Sequence, residues 1–277
     1  MSSIRFTILP APEILKNDVE CFRITEYTGE EGLAIKVSPS GVAGIVFQQN
    51  NGRSAIENII TPSGRAASPP PLFLYGPGTE PSVMHYKRGS RRTMQVVFKP
   101  HALQTLLGIN AAALTDGWAD LHEFSAEDLQ VQLIEARNER ERMTLLTSFL
   151  LAMFKQAKTR DTLVEESLRF IHENIGSMHV KYVLDYLNIS ERQFERRFTQ
   201  TVGLSPHLYI RVKRFNEAIR LIKTRKFERL TDIAYALNFY DQSHFIRDIK
   251  AFSGITPKSL SQKVNDYHYD QAGYSYV

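Results

Sequence analysis

The sequence predicts a two-domain α+β protein, with a β-rich N-terminal domain and an all-α C-terminal domain. Two observations carry this prediction. Residues 21–99 consist of short strand-like segments separated by turn residues, whereas the chain after Pro100 follows helical spacing. In addition, "VLDYLNISERQFERRFTQTVGLSP" (183–206) and "DIAYALNFYDQSHFIRDIKAFSGITP" (232–257) share a common pattern, which indicates an internal repeat.

The N-terminal segments are rich in β-branched and aromatic residues. They include "CFRITEY", "GLAIKV", "AGIVFQQ", "LFLYG", "VMHYK" and "TMQVVFK", with turn residues such as "SPSG", "NNG" and "PGTEP" between them. No helical pattern separates these segments. About seven short strands in this arrangement predict a sandwich or a barrel.

Helical spacing begins after Pro100, and the longest helix is predicted within "ERERMTLLTSFLLAMFKQAK" (139–158). Its apolar stripe has two interpretations: it completes the core of its own domain, or it is a self-association surface. The stripe contains Leu145, Leu146, Phe149, Leu150, Met153 and Phe154.

A soft domain boundary is predicted near residues 158–161, where the chain is polar without being rich in Gly or Pro. We therefore expect an N-terminal domain with flanking helices at 1–160, a helical domain at 161–264, and a flexible Tyr-rich tail at 265–277.

Composition excludes several classes of protein. Cys21 is the only cysteine, which rules out an internal disulfide and a CxxC metal cage. No run approaches the roughly 18 apolar residues of a membrane span, and the N-terminus lacks an apolar secretory segment. We expect a cytoplasmic protein that does not enter the membrane.

The two repeats align with an offset of 50 residues before their turn and 51 after it. Asn188 corresponds to Asn238, where a short helix stops in a left-handed turn. A second helix follows in each copy, starting at Ser190 or at Asp241. Each copy is therefore predicted to be a helix-turn-helix.

Each copy ends in a Ser-Pro or Thr-Pro pair, which predicts the start of another helix. The helix after Pro206 spans about 19 residues and so about 28 Å, comparable to the roughly 34 Å of one DNA turn. Residues 181–263 also contain 16 Lys or Arg against 8 Asp or Glu, the charge balance of a polyanion binder. These features predict that one chain contacts two successive major grooves.

Helical projection separates a buried face from an outward face in each second helix. In the major groove, Arg donates two hydrogen bonds to guanine, Glu accepts a hydrogen bond from the cytosine amino group, and an apolar side chain contacts the thymine methyl group. The outward residues are Arg192, Glu195, Arg196 and Thr199 in the first copy, and Ser243, Ile246, Arg247 and Lys250 in the second.

The segments "ISERQFERRFTQTVGLSPHLYIRVKRFNEAIRLI" and "IAYALNFYDQSHFIRDIKAFSGITP" resemble the AraC/XylS family of bacterial transcriptional regulators. The resemblance covers about residues 178–260 and implies sequence-specific binding of double-stranded DNA, with RNA polymerase as a further partner. It places the base-reading residues at Arg192, Glu195, Arg196, Gln242, Ser243, His244 and Arg247.

A weaker resemblance concerns "VVFKPHALQTLLGINAAALTDGWADLHEF", which is similar to the sensor region of some of these regulators. It implies a cupin-like β domain, and a small-molecule effector is a further expectation. A homodimer is expected if the apolar stripe of residues 145–154 is a self-association surface.

The second repeat departs from the family pattern. Asp248 stands where the first repeat has Arg197, and Asn238 replaces the usual Gly. On this basis we expect the second repeat to be the less basic one and to act mainly as a clamp.

Two other functions stay open. The first is a metal-dependent cupin enzyme fused to a DNA-binding tail, and the second is an architectural DNA binder with a purely structural N-terminal domain. His85, His101 and His122 are isolated and form no HxH pair, and no P-loop, GxSxG or HExxH pattern is present. We therefore expect no catalytic residues, no metal site and no cofactor.

Overall fold

The computed structural model describes residues 3–50, 52–124, 126–156, 160–224, 227, 229–262, 267–270 and 273–276. Its strands are β1 Ser3–Pro10, β2 Val19–Thr28, β3 Leu33–Val37, β4 Gly44–Gln49, β5 Ile56–Ile60, β6 Ala66–Ala67, β7 Leu72–Tyr75, β8 Ser82–Tyr86, β9 Arg91–Phe98, β10 Trp118–Asp120, β11 Tyr267–Asp270 and β12 Gly273–Tyr276. Its α-helices are α1 Ala102–Leu107, α2 Glu127–Glu135, α3 Glu139–Gln156, α4 Thr162–Glu173, α5 Val180–Leu187, α6 Glu191–Val202, α7 Pro206–Thr224, α8 Leu230–Ala236, α9 Gln242–Ser253 and α10 Pro257–Gln262.

The strands form two antiparallel sheets of six strands each. Sheet A has the order β1-β2-β9-β4-β7-β10, and sheet B has the order β11-β12-β3-β8-β5-β6. Each sheet keeps two edge strands, so the described strands do not close into a barrel. Of the two predicted forms of the β-rich domain, the structure shows the sandwich.

One face of sheet A packs against α1, α2 and α3. The alternation of β2 places Phe22 and Ile24 in this core, where they join the apolar side chains of the helices. From the predicted stripe, Leu146 and Leu150 are both 0% exposed within the same core. The stripe up to Met153 therefore packs into the core of its own domain, whereas Phe154 is 42% exposed. Each fully buried Leu contributes about 1.5–3 kcal/mol.

The C-terminal helices form two groups joined by α7. The first group, α4 to α6, has its own apolar core around Val183, Phe194 and Phe198. The second group, α8 to α10, has a separate core around Phe245, Ile249 and Phe252, which also receives apolar residues of α7. We call α4–α6 the first module and α8–α10 the second module.

The turn residues adopt the predicted conformations. Asn188 and Asn238 are left-handed, with φ of 49° and 50°. Asp241 caps α9 by accepting a hydrogen bond from the backbone N–H of His244 at 2.6 Å. Ser190 is the N-cap of α6, but its hydroxyl donates to the side chain of Gln193 rather than accepting from the backbone.

Helix α4 begins directly after Asp161, next to the predicted boundary, while residues 157–159 lie outside the described part. At the other end of the chain, β11 and β12 form a hairpin. Its second strand pairs with β3, with Ser275 opposite Val37 and Tyr276 opposite Lys36. The flexibility and the domain limits expected for 265–277 stay predictions, and residues 265, 266, 271, 272 and 277 lie outside the described part.

Candidate nucleic-acid interface

The outward side of α6 is the predicted base-reading face of the first module. Arg192, Glu195 and Arg196 are exposed there, and Thr199 is half-buried at the far end of the face. The opposite side of the same helix is buried through Phe194 and Phe198, whose rings contact each other. Since that core fixes the rotation of α6, the three exposed side chains are held together on one surface.

The outward side of α9 is the predicted base-reading face of the second module. Gln242, Ser243, Arg247 and Lys250 are exposed on it. His244 is only half-buried, because its ring packs edge-on against Phe239 and its Nε2 lies 3.8 Å from Asp248 Oδ2. The ring of His244 is therefore held against the body of the module, at the margin of the face.

An ion pair anchors each recognition helix. In the first module, Arg197 of α6 donates two hydrogen bonds to the carboxylate of Asp161, at 2.9 and 2.7 Å. In the second, the buried Asp248 of α9 accepts two from Arg211 of α7, at 3.3 and 2.7 Å. Bidentate pairs of this kind fix orientation as well as adding energy.

These ion pairs correct the expectation that the second module is the less basic one. Asp248 is 1% exposed and paired, so its charge does not face a ligand. Arg197 is likewise occupied by Asp161. Of the exposed charges, α6 presents two Arg and Glu195 on its face, whereas α9 presents Arg247 and Lys250. The charge argument for a clamp in the second module was wrong, because it counted the buried carboxylate of Asp248 as a surface charge.

Helix α7 connects the two modules as a rod of 19 residues, as predicted. Its buried Arg214 donates to the carbonyl of Met178 in the first module at 2.7 Å and lies 5.5 Å from the ring centroid of Phe239 in the second. Burial lowers the pKa of the Arg214 guanidinium, and nearby Asp248 opposes this shift. One side chain of the rod thus contacts both modules, which sets their separation.

A second candidate site is a cavity of about 230 Å³ between sheets A and B. Strands of both sheets form its walls, and most of the lining is apolar or aromatic. Gln95 donates to the hydroxyl of Tyr75 at 2.6 Å inside it. The residues that sequence analysis missed here come from strands far apart in the chain: Phe6, Arg23, Ile35, Val46, Ile59, Phe73, Met84, Gln95 and Trp118.

A charged cluster lies at one side of the cavity. Arg65 pairs with Glu80 at 2.7 Å and with Asp116 at 3.1 Å. Burial raises the pKa of Glu80, but hydrogen bonds from Ser63 and Arg65 outweigh it and lower the pKa to about 2. Glu80 therefore stays charged, and the guanidinium of Arg65 is already shared by two carboxylates.

The wall of the cavity also contacts the rod α7. Ser38, Pro39 and Ser40 line the cavity. The carbonyl of Ser40 accepts from Nζ of Lys213 at 2.8 Å, and the carbonyl of Pro39 accepts from Asn216 at 3.3 Å. Burial lowers the pKa of Lys213 to about 8, an effect that Glu20 partly opposes. The backbone of one short loop thus joins the cavity to the helix between the modules.

In the described part of the chain, no group of three or more His, Cys, Asp or Glu side chains could hold a metal ion. Two of the histidines have protein partners: His101 Nε2 lies 3.2 Å from Asp18 Oδ1, and His122 Nε2 lies 3.3 Å from Gln130 Oε1. No described helix is long and apolar enough to cross a membrane.

The family comparison matches both domains. A helix-turn-helix domain family of AraC type matches residues 183–263, which begin within α5 and include both helix-turn-helix repeats and α7. The C-terminal domain is an AraC-type helix-turn-helix domain. A second family, described only as a domain of unknown function (DUF6597), matches residues 7–120, the sandwich ahead of the AraC-type domain.

Solved structures of ToxT from Vibrio cholerae are also similar. ToxT of strain O395 is 13% identical, with 88% of this chain and 98% of that chain covered and a TM-score of 0.48. ToxT of strain SCE256 with a bound unsaturated fatty acid is 14% identical, with 86% and 94% covered and a TM-score of 0.48. Similarity of this size carries no argument about function. No curated protein sequence matches the chain.

Proposed function

We propose that this protein is a sequence-specific DNA-binding transcriptional regulator whose DNA affinity is controlled by a small molecule bound between sheets A and B. The observation that carries the DNA-binding part is the pair of exposed, basic faces on α6 and α9, one in each of the two modules that α7 joins. Two such faces fit two successive major grooves.

The cavity and its contact with α7 support the regulatory part. A mostly apolar pocket with a few polar groups, here Gln95, Tyr75 and Arg23, suits a small, largely apolar molecule. A ligand that favours one position of the 38–40 loop changes the contacts that this loop makes with Lys213 and Asn216 of α7. Such control requires that the ligand bind one conformational state of the protein more tightly than the other.

Selection of bound DNA from a random pool tests the proposal. We expect one enriched sequence with two half-sites about one helical turn apart, and binding that weakens steeply with salt. Recovery of unrelated sequences with the same affinity would leave an architectural DNA binder as the better description.

The ligand is tested on the purified full-length protein. We expect denaturation of the protein to release a small molecule that mass spectrometry detects. A variant with a filled cavity, Val46→Phe, should release none. Metal analysis of the same sample addresses the enzyme alternative, because stoichiometric bound metal would favour it. RNA polymerase as a partner, which the family resemblance implies, belongs to this proposal, and so do homodimer formation and a cytoplasmic location.

A further inference from the structure

The two base-reading faces differ at one equivalent position. The offset of 51 residues that aligns Phe194 with Phe245 also aligns Glu195 of α6 with Ile246 of α9. Both side chains are exposed. The same place on the two faces therefore carries a carboxylate in the first module and a branched alkyl group in the second.

Packing inside the module does not account for Ile246. Its neighbours Phe245 and Ile249 fill the core and are 1% and 0% exposed, whereas Ile246 itself is 40% exposed. A β-branched residue also lowers helix propensity slightly relative to Ala. An exposed isoleucine between charged and polar neighbours suits a surface that is covered when a partner binds.

DNA is the partner that this face fits. Arg247 and Lys250 are exposed on the same side of α9, which matches the charge of phosphates. Within the major groove, the apolar feature of a base edge is the 5-methyl group of thymine, and apolar side chains contact it. A carboxylate instead accepts a hydrogen bond from the N4 amino group of cytosine.

We propose that Ile246 packs against the 5-methyl group of one thymine in the second half-site, while Glu195 selects cytosine at the equivalent place in the first. The assignment rests on the proposed function and adds the base that each module prefers at this position. The two half-sites of the operator then differ at this position because Glu195 and Ile246 prefer different bases.

The test removes only the methyl group. In the selected operator, each thymine of the second half-site is replaced singly by deoxyuridine, and affinity is measured with the full-length protein. We expect one replacement to weaken the wild type about fourfold, the effect of leaving one methyl-sized group unburied. Ile246→Ala should be insensitive to that replacement, and Ile246→Val, which keeps the branched methyl groups, should remain sensitive.

Glu195→Ala is the matched control in the other module. It should lose the preference for cytosine in the first half-site and keep full sensitivity to deoxyuridine in the second. The assignment is overturned if no replacement affects the wild type, or if Ile246→Ala is as sensitive as the wild type. If an operator has been selected, these results contradict only the assignment and not the proposed function. If no sequence can be selected, both the proposed function and the assignment are contradicted.

Discussion

The two modules have the same turn geometry and opposite anchoring charges. On α6 the anchoring side chain is a cation, Arg197, and its acidic partner Asp161 lies at the start of α4 in the same module. On α9 it is an acid, Asp248, and its partner Arg211 lies on α7, outside the module. Equivalent positions on α6 and α9 can therefore both anchor their helix with opposite charges, provided that the charge of the partner residue is also opposite.

The modules also differ in what surrounds them. The N-terminal domain contacts the end of α6, where Thr115 donates to the carbonyl of Gly203 at 2.5 Å and Thr201 donates to Gln104 at 2.5 Å. At Gly254, the equivalent position after α9, a Cβ would meet no atom within 4 Å. The end of α6 is thus packed against the N-terminal domain, whereas the equivalent glycine after α9 has open space around it.

The largest expected effect comes from the two helix-ending glycines. Gly203 and Gly254 both have positive φ, 83° and 75°, so alanine costs about 1–2 kcal/mol of backbone strain at either. At Gly203 the added Cβ would also lie 2.6 Å from Pro77 Cγ and 2.9 Å from the carbonyl oxygen of Ala111. We expect Gly203→Ala to lower the free energy of unfolding by about 2–4 kcal/mol in total, which includes an overpacking cost. Equal losses for Gly203→Ala and Gly254→Ala in denaturant titrations would remove the difference between the modules.

The second prediction concerns the anchor of α9. Arg211→Met leaves the carboxylate of Asp248 buried without its cation, so we expect a loss of roughly 2–3 kcal/mol in unfolding free energy. Arg169→Met is the control, since Arg169 is exposed and its two ion pairs are long. If both variants unfold at the same denaturant concentration, Arg211 does not anchor the helix.

The third prediction compares Arg196 with Arg247. Because Asp248 is paired and faces inward, the two arginines have similar surroundings, and we expect each alanine variant to cost about 1–3 kcal/mol and to relax preference at its own base pair. Affinities for the selected operator and its point variants across a salt series measure this. An even loss over all sequences for Arg247→Ala, with the salt slope lower by about one unit, would restore the clamp model.

The smallest effect is expected at the anchor of α6. Burial alone would raise the pKa of Asp161, but hydrogen bonds from Arg197 and the Val164 N–H lower it below its ordinary value of 3.8. A depressed carboxyl pKa stabilises the fold above the unfolded-state pKa, and this stability is lost as pH falls through the folded-state pKa.

Asp161→Asn keeps the acceptor for the Val164 N–H and removes the charge. We expect it to cost about 1 kcal/mol at neutral pH, and the cost to shrink below pH 3.8. Unfolding free energies measured at both pH values check this. A cost that is the same at both would show that the charge of Asp161 is not what stabilises α4 and α6.

Local features of the fold could be predicted from the sequence, and long-range ones could not. The left-handed turns at Asn188 and Asn238 and the outward positions of Arg196 and Arg247 were predicted correctly, because a turn and a helix face depend on residues within one or two turns of the chain. The Arg211–Asp248 pair joins residues 37 positions apart, and only the packing of α7 on α9 brings them together. Counting Asp248 as a surface charge followed from projecting one helix without its neighbours.

The cavity could not be predicted for the same reason. Its walls combine strands from both sheets, and each strand shows only that one of its faces is covered. Which strand faces which follows from the order of the sheets, which the sequence pattern does not contain. The sequence therefore predicts which face of each strand is covered, but it does not predict the pocket that these faces form together.

The pairing of β12 with β3 has a topological consequence. Sheet B contains strands from both ends of the chain, so the helices from Thr162 to Gln262 form an insertion between strands of one sheet. The helical region is therefore connected to the sandwich at two points rather than one. While Ser275 stays opposite Val37, the C-terminal end of this region is held at sheet B. Excision of residues 161–277 as one piece also takes an edge of the sandwich with it.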